Sequence, residues 1–281
     1  LSPFDSTGLE KLAAAGLTAF AMEAAPRTTR AQSLDVLSSQ ANLAGYKAVI
    51  LAAEAYPRIF PMLMTAAGTV KAARVVILGA GVAGLQAIAT AKRLGGVVEA
   101  SDVRPAVKEQ IESLGAKFID VPYETEEERE IAQGAGGYAR PMPEGWMKRQ
   151  AAEVAKRIAQ ADIVISTALI PGRKAPVLIT EDMVASMKPG SVIVDMAVEQ
   201  GGNCPLSVLN QTITTSNGVR IVGQPNLAAL VPTDASALYA RNLLDFLKLV
   251  FTKEGAFQVP MDDDIVAATL VARDGQVTRP A

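Results

Sequence analysis

Hydrophobic positions at helical spacing mark the regions near both ends of the chain. Following a polar loop, apolar or small residues recur every three or four positions, at Leu34, Leu37, Ala41, Ala44, Ala48, Leu51 and Ala55. This spacing predicts a long helix over 33–56, which Pro57 and Pro61 would end. A second long helix is expected over 234–251.

Between these helices, short apolar runs alternate with helical stretches. Strands are expected at 75–78, 97–100, 117–121, 162–166, 191–195 and 219–222. Helices are expected at 82–94, 105–113, 146–160 and 180–187. This alternation predicts a Rossmann-type α/β domain, in which helices cover both faces of a doubly wound parallel sheet. We place this domain at 39–227.

The two ends of the chain, 1–38 and 228–281, are expected to form a second, discontinuous α/β lobe, linked to the first domain by the two long helices. A short helix would be capped by Ser6 or Thr7 and stop at Gly16. The polar C-terminal tail has one apolar segment, 265–271. With at most one strand, this lobe would be thin.

A glycine-rich turn follows the first expected strand of the sheet. Gly79-Ala-Gly-Val-Ala-Gly84 has the spacing that lets a backbone approach a pyrophosphate at the start of a helix. Asp102, at the end of the next strand, could accept hydrogen bonds from an adenosine ribose and repel a 2′-phosphate, which favours NAD over NADP. Arg104 leaves NADP open, since an arginine can accept a 2′-phosphate. An ordinary strand–helix turn, with Asp102 capping the helix near Pro105, is the alternative.

Composition narrows the chemistry. The chain has 281 residues, a formal net charge of −2, one cysteine and no histidine. There is no basic field for nucleic acid, no intrachain disulfide is possible, and neither a metal site nor a cysteine nucleophile is expected. No apolar run approaches the roughly 20 residues that span a bilayer, and the N-terminus lacks a signal-peptide pattern. We expect a soluble chain in a reducing, cytoplasm-like compartment.

Three polar loops allow both a functional and a structural interpretation. The Gln32 amide could pair with the carboxamide of nicotinamide, with Asp35 steering it; alternatively, Ser33 caps the long helix and Asp35 lies in its first turn. The glycines around Tyr138 could form a lid or a surface loop. The segment 166–172 could bind a ligand at the carboxyl end of a strand, or be a Pro-Gly turn.

Several segments together resemble one known family. They are 27–38, 42–46 (NLAGY), 64–69 (MTAAGT), 79–94, 101–104 (SDVR), 136–138 (GGY), 167–172 (TALIPG) and 201–205 (GGNCP). In this combination the chain resembles the NAD(H)-binding component of proton-translocating NAD(P) transhydrogenase, whose more distant relatives are alanine dehydrogenases. Members of that family carry a further N-terminal stretch that this sequence lacks, so the lobe is expected to be N-terminally incomplete.

The resemblance implies roles for particular residues. It places Arg27, Gln32 and Asp35 at the nicotinamide end as catalytic positions, and it assigns the remaining implied positions to NAD(H) binding: Ser33, Leu34, Ser38, Gly79, Gly81, Val82, Gly84, Asp102, Val103, Arg104, Gly137, Tyr138, Thr167, Ala168 and Leu169. Asp102 and Arg104 would contact the adenosine ribose, and the Gly137–Tyr138 segment would close over the nucleotide. It also implies a homodimer at the cytoplasmic face of a membrane, docked on an NADP(H)-binding component that is joined to a membrane proton channel.

The lack of histidine is compatible with this activity. Hydride moves directly between two nicotinamide rings, so no general acid or base is required. Two alternatives remain open. An alanine-dehydrogenase-type oxidoreductase would need an acid/base group, for which its family uses a histidine. A non-enzymatic NAD-sensing module would need only the adenosine-binding half.

Overall fold

The computed structural model describes residues 2–133, 142–169 and 172–278. The chain divides into two compact units. One is formed by its two ends, Leu1–Ala41 and Val231–Ala281, and the other by its middle, Asn42–Leu230.

The secondary structure is as follows. The helices are α1 (Ser6–Ala14), α2 (Val36–Ala55), α3 (Val82–Arg93), α4 (Lys108–Ser113), α5 (Glu126–Gln133), α6 (Glu144–Ile158), α7 (Glu181–Ser186), α8 (Pro232–Val250) and α9 (Asp264–Thr269). The strands are β1 (Ala19–Phe20), β2 (Leu63–Thr65), β3 (Gly68–Val70), β4 (Arg74–Leu78), β5 (Val97–Ser101), β6 (Lys117–Phe118), β7 (Ile163–Ser166), β8 (Val192–Asp195), β9 (Gln211–Thr214), β10 (Arg220–Gly223), β11 (Leu270–Arg273) and β12 (Gln276–Val277).

The middle unit is built on a seven-stranded sheet in the order β6-β5-β4-β7-β8-β10-β9. Its strands pair in parallel, except for β9, which pairs antiparallel with β10. Side chains alternate between two cores: Ile77 and Ile165 lie in one, and Val76 and Val164 in the other. Burial on both faces explains the continuous apolar runs and confirms the expected doubly wound fold.

The order of the strands locates a crevice in this unit. The chain runs from β4 outward to β5 and β6, and then returns to β7 on the other side of β4. Beyond the carboxyl ends of β4 and β7, the connections leave in opposite directions. Doubly wound sheets bind their ligands at such a switch point.

The unit formed by the chain ends has more β-structure than expected. β1, β11 and β12 form a three-stranded antiparallel sheet where at most one strand was expected. The apolar segment 265–271 is divided, since α9 occupies its first part and β11 begins at Leu270. Helix α1 is capped by Asp5, whose carboxylate accepts from the Gly8 amide at 3.0 Å, and not by Ser6 or Thr7.

The first long helix starts later than its hydrophobic pattern predicted. Residues Thr29–Leu34 form a 3₁₀ helix, and α2 begins at Val36. Leu34 and Val36 are buried in the same core, whereas Leu37, which the predicted apolar face included, is exposed. A spacing argument does not separate the two helix types over a single turn.

Candidate nucleotide-binding site

Two glycines of the turn after β4 are required by the fold itself. Gly79 has φ +95°, and a Cβ there would lie 2.6 Å from Thr167 Oγ1. A Cβ on Gly84 would lie 1.9 Å from the Gly79 carbonyl oxygen, so only glycine lets α3 start this close to β4. Gly45 of α2 has a similar role, because its Cβ would lie 2.1 Å from the Ala83 oxygen in the first turn of α3.

The third glycine of the turn, Gly81, is not required by the fold. Its backbone, at φ −75° and ψ −167°, suits any residue. Within the described residues, no heavy atom of another segment lies within 4 Å of the position its Cβ would take. Gly81 is the N-cap of α3, so this open space faces free amides and the positive end of the helix dipole. The arrangement fits a pyrophosphate in close contact with the backbone. Val82, the first residue of α3, is exposed beside it.

Asp102 follows β5 and faces the same turn. Its Oδ2 accepts from the Ala80 amide at 2.7 Å, and its Oδ1 accepts from the Arg104 amide at 2.8 Å. The Arg104 guanidinium binds both oxygens, at 2.9 and 3.0 Å. Burial alone would raise the pKa of Asp102, but the hydrogen bonds from Arg104 and Ala80 outweigh it and hold the pKa below its usual value. Asp102 is therefore an ionised acceptor near the glycine turn, and Val103 beside it is exposed.

Gln150, which the sequence did not indicate as a site residue, hydrogen-bonds to the backbone of Asp102. Gln150 of α6 is buried, and its Nε2 donates to the Asp102 carbonyl at 3.0 Å and to Ser101 Oγ at 3.2 Å. It shares the buried face of α6 with Trp146 and Val154. The sequence does contain a sign of this role: Gln150 lies on an otherwise apolar helical face, and a buried side-chain amide requires hydrogen-bond partners.

The loop after β7 lies against the glycine turn. The Thr167 amide donates to the Leu78 carbonyl at 2.8 Å, and its hydroxyl donates to the Gly79 carbonyl at 3.1 Å. Ala168 is hydrogen-bonded through both of its backbone groups to Asn203. Leu169 is exposed. Thr167, Ala168 and Leu169 thus line the switch point, with the glycine turn across from them.

The polar loop before α2 belongs to the unit formed by the chain ends. Arg30 ties it to the start of α9 through a 2.7 Å ion pair with Asp263 and a second ion pair with Asp264. Asn242 of α8 donates to the Ser33 carbonyl at 2.7 Å. The 3₁₀ helix is therefore held from two sides. Within this helix Ala31 and Leu34 are buried, and the residues on the exposed side are Thr29, Arg30, Gln32 and Ser33. Arg27, which precedes the helix, is also exposed.

Asp35 is the N-cap of α2. Its carboxylate accepts from the Ser38 amide at 2.9 Å and from the Ser38 hydroxyl at 2.6 Å. The expectation that Ser33 would be the cap was wrong, because the 3₁₀ helix places Ser33 before the start of α2. In this structure the Asp35 side chain orients Ser38, while its backbone amide donates to the Gln32 carbonyl at 3.3 Å.

The structure thus gathers the sequence-predicted residues in two groups. The glycine turn, Asp102 to Arg104 and the loop from Thr167 to Leu169 lie together in the middle unit. The positions between 27 and 38 lie together in the other unit. Gly137 and Tyr138 lie outside the described residues.

The described residues offer little support for a cysteine nucleophile, a metal site or a membrane-spanning helix. Cys204 is buried, and burial raises the pKa of its thiol, as suits a packing residue. No group of three His, Cys, Asp or Glu side chains there could hold a metal ion. None of the helices described is both long enough and apolar enough to cross a membrane.

Comparison with known proteins identifies the family. Residues 48–280 match the sequence profile of the alanine dehydrogenase/PNT C-terminal domain. An NAD(P) transhydrogenase alpha subunit protein of Rhodospirillum rubrum is 56% identical over 97% of this chain and 70% of that protein. A transhydrogenase structure from Sinorhizobium meliloti superimposes with a TM-score of 0.87 at 53% identity, covering 99% of this chain and 73% of that chain.

The alanine dehydrogenase branch is more distant. An L-alanine dehydrogenase structure has a TM-score of 0.74 at 26% identity, covering 99% of this chain and 71% of that chain. The resemblance inferred from the sequence motifs is confirmed, and the chain belongs to the alanine dehydrogenase/PNT family as a relative of the NAD(P) transhydrogenase alpha subunits.

Proposed function

We propose that this chain binds NAD(H) and transfers hydride directly to or from NADP(H) held by a partner component. The observation that carries the NAD(H)-binding part of the proposal is Gly81: a glycine that neither the backbone conformation nor any described neighbour requires, at a helix N-terminus beside an ionised carboxylate. A dinucleotide whose pyrophosphate contacts the backbone at Gly81 accounts for that choice. Similarity to the transhydrogenase alpha subunits supports the hydride-transfer part.

The residues around the turn would divide the binding between them. Free amides at the start of α3 would hold the pyrophosphate. Asp102 would accept from the hydroxyls of the adenosine ribose. Because Arg104 binds both of its oxygens, the guanidinium would have to move aside when the ribose arrives. A 2′-phosphate in the same place would meet a carboxylate, which favours NAD(H) over NADP(H).

For hydride transfer between two nicotinamide rings, the main requirement on the protein is to position the rings. When bound, the two nicotinamide rings supply hydride donor and acceptor, and no proton is exchanged with an alcohol or amine. The chain's task is then to orient one ring and to exclude water. We assign the orientation to the loop with Arg27, Gln32 and Asp35, whose rigid attachment through Arg30 and Asn242 suits that task.

The wider assembly is part of the same proposal. The relatives are named as alpha subunits, which implies a complex of several subunits. We propose that the chain forms a homodimer and docks at the cytoplasmic face of a membrane. There it would meet an NADP(H)-binding component coupled to a proton channel, and no metal would take part.

Reconstitution tests this function. The chain mixed with a separately produced NADP(H)-binding component should reduce an NAD analogue with NADPH, and neither component should do so alone. The same chain with alanine and NAD⁺ should form no NADH. Turnover of alanine, or no transfer in the mixture, would overturn the proposal.

Replacing Asp102 by alanine should narrow the preference for NADH over NADPH. The ribose would lose a charged hydrogen-bond acceptor, so NADH binding should weaken by about tenfold or more. NADPH binding should weaken less, because the repulsion of its 2′-phosphate is also removed. Titration calorimetry with both nucleotides measures the ratio.

Asp120→Ala is the matched control for this substitution. It also removes a carboxylate paired with a cation, since Asp120 binds Lys108 at 2.8 Å, but it lies exposed after β6. Its NADH-to-NADPH ratio should equal that of the parent chain. Equal affinity of the parent for NADH and NADPH would refute the role given to Asp102.

A further inference from the structure

Asn203 is a fully buried residue in the turn that follows β8. Its backbone amide donates to Asp195 Oδ1 at 3.1 Å. Its backbone carbonyl accepts from the backbone amides of Leu178 and Ile179, at 2.9 and 3.0 Å. Both backbone groups of Asn203 are therefore hydrogen-bonded, which fixes the position from which its side chain extends.

The Asn203 side chain holds the loop after β7 by both backbone groups of one residue. Its Oδ1 accepts from the Ala168 amide at 3.2 Å, and its Nδ2 donates to the Ala168 carbonyl at 2.9 Å. The second Nδ2 hydrogen goes to the Pro176 carbonyl at 2.8 Å. This pairing fixes both the position and the orientation of the backbone at Ala168. Both Nδ2 hydrogens are used and the residue is fully buried, so Asn203 is not placed to bind a ligand directly.

A buried carboxylate anchors this arrangement. Asp195, at the end of β8, is fully buried and accepts hydrogen bonds from several groups around the turn. Its donors are the amides of Ala197, Asn203 and Cys204 and the hydroxyls of Ser166 and Ser207. These five donors satisfy the buried carboxyl group, and together they make the turn stiff.

The position of Ala168 along the sheet determines which part of a dinucleotide it can meet. Asp102 follows β5, on one side of β4, and Ala168 follows β7, on the other side. The glycine turn lies between them. A dinucleotide with its adenosine ribose on Asp102 and its pyrophosphate on Gly81 therefore extends its nicotinamide half over residues 167–169.

We propose, resting on the function proposed above, that Asn203 is a positioning residue for the nicotinamide half of NAD(H). It acts by fixing the backbone at Ala168 without touching the nucleotide. Loss of the carboxamide leaves the Ala168 amide and the Ala168 and Pro176 carbonyls, all part-buried, without this partner, so the loop shifts to satisfy them. The adenosine half, bound at Asp102, stays unaffected.

A comparison of two ligands tests this assignment. The variants are Asn203→Ser and Asn203→Asp, and the probes are NADH and ADP, which lacks the nicotinamide half. Each variant should bind NADH about tenfold more weakly, because aspartate loses the two hydrogen bonds made by Nδ2 and serine can lose all three made by the side chain. ADP should bind each variant as it binds the parent. Equal weakening for both ligands, or unchanged NADH binding, would overturn the assignment.

Asn217→Ser is the control for stability. Asn217 also holds a loop by its side-chain amide, donating to Val184 O at 3.0 Å and Met187 O at 3.3 Å. That loop lies at the amino ends of β8 and β10, whereas Ala168 follows the carboxyl end of β7. The control should lower the melting temperature and leave both nucleotides bound as in the parent. Selective NADH loss in the control would also overturn the assignment.

The unaltered chain gives a second test that needs no folded variant. NADH should slow hydrogen exchange at the Ala168 and Leu169 amides more than ADP does, and equal protection would contradict the assignment. Failure of the parent to bind either nucleotide would instead reject the proposed function itself. A parent that binds NADH, with no selective loss in the variants, would reject only the role of Asn203.

Discussion

A chain carrying Gly81→Ala should keep its fold and lose most of its affinity for NADH. The conformation of Gly81 suits alanine, and the new methyl group would enter open space. At a helix N-cap, alanine for glycine should lower the free energy of unfolding by less than about 1 kcal/mol. If the pyrophosphate rests on this backbone, the methyl group displaces it. Forcing a methyl into a packed contact costs about 1–3 kcal/mol, which is about fivefold to 150-fold in affinity.

Gly84→Ala provides the contrast. Its Cβ would lie 1.9 Å from the Gly79 oxygen, so α3 and β4 would have to separate. The free energy of unfolding should fall by about 3 kcal/mol. Calorimetry and thermal melts of the two variants distinguish a ligand-facing glycine from a structural one. Parent-like NADH binding by Gly81→Ala, or the same loss of stability in both variants, would contradict the account of this turn.

Gln32→Asn should slow hydride transfer far more than it weakens NADH binding. The shorter amide would lose its contact with the nicotinamide carboxamide, and the ring would shift. A misplacement of about 1 Å can cost on the order of a hundredfold in rate. The adenosine contacts proposed at Asp102 would be retained, so the dissociation constant of NADH should stay nearly unchanged. Stopped-flow transfer to the partner's NADP⁺ at saturating NADH separates the two effects.

Asp35→Asn should give the same separation without a stability change. Asparagine and aspartate are comparable N-caps, so the contact with the Ser38 amide would survive and the melting temperature should hold. The rate should fall, because the charge that orders Ser38 is lost.

Gln40→Asn is the control for the Gln32 substitution, since Gln40 lies in α2 and donates to the Ala235 carbonyl at 3.2 Å. It should transfer hydride at the parent rate. Near-normal rates in the Gln32 and Asp35 variants would remove this loop from the site.

The sheet could be predicted from the sequence because its strands are buried on both faces. β4, β7 and β8 therefore appear as uninterrupted apolar runs. β9 escaped detection because its residues, Gln211–Thr214, are largely exposed at the edge of the sheet. β11 was hidden for a different reason. α9 runs directly into it, so one apolar segment serves two elements.

The site was only partly accessible from the sequence. The glycine motif and Asp102 were found because their spacing along the chain reflects the βαβ unit. That motif treats its three glycines alike, and only the structure separates Gly81 from Gly79 and Gly84. Gln150 and Asn203 could not be found by spacing. Their partners lie 48 and 35 residues away, so the fold alone brings them together.

Isotope tracing tests the central claim most directly. NADH carrying deuterium at the transferred C4 position is mixed with this chain, the NADP(H)-binding component and NADP⁺. Direct transfer between the rings predicts that the deuterium appears at C4 of NADPH, with none lost to water. NADPH that carries hydrogen from water at C4, or no NADPH at all, would contradict the account.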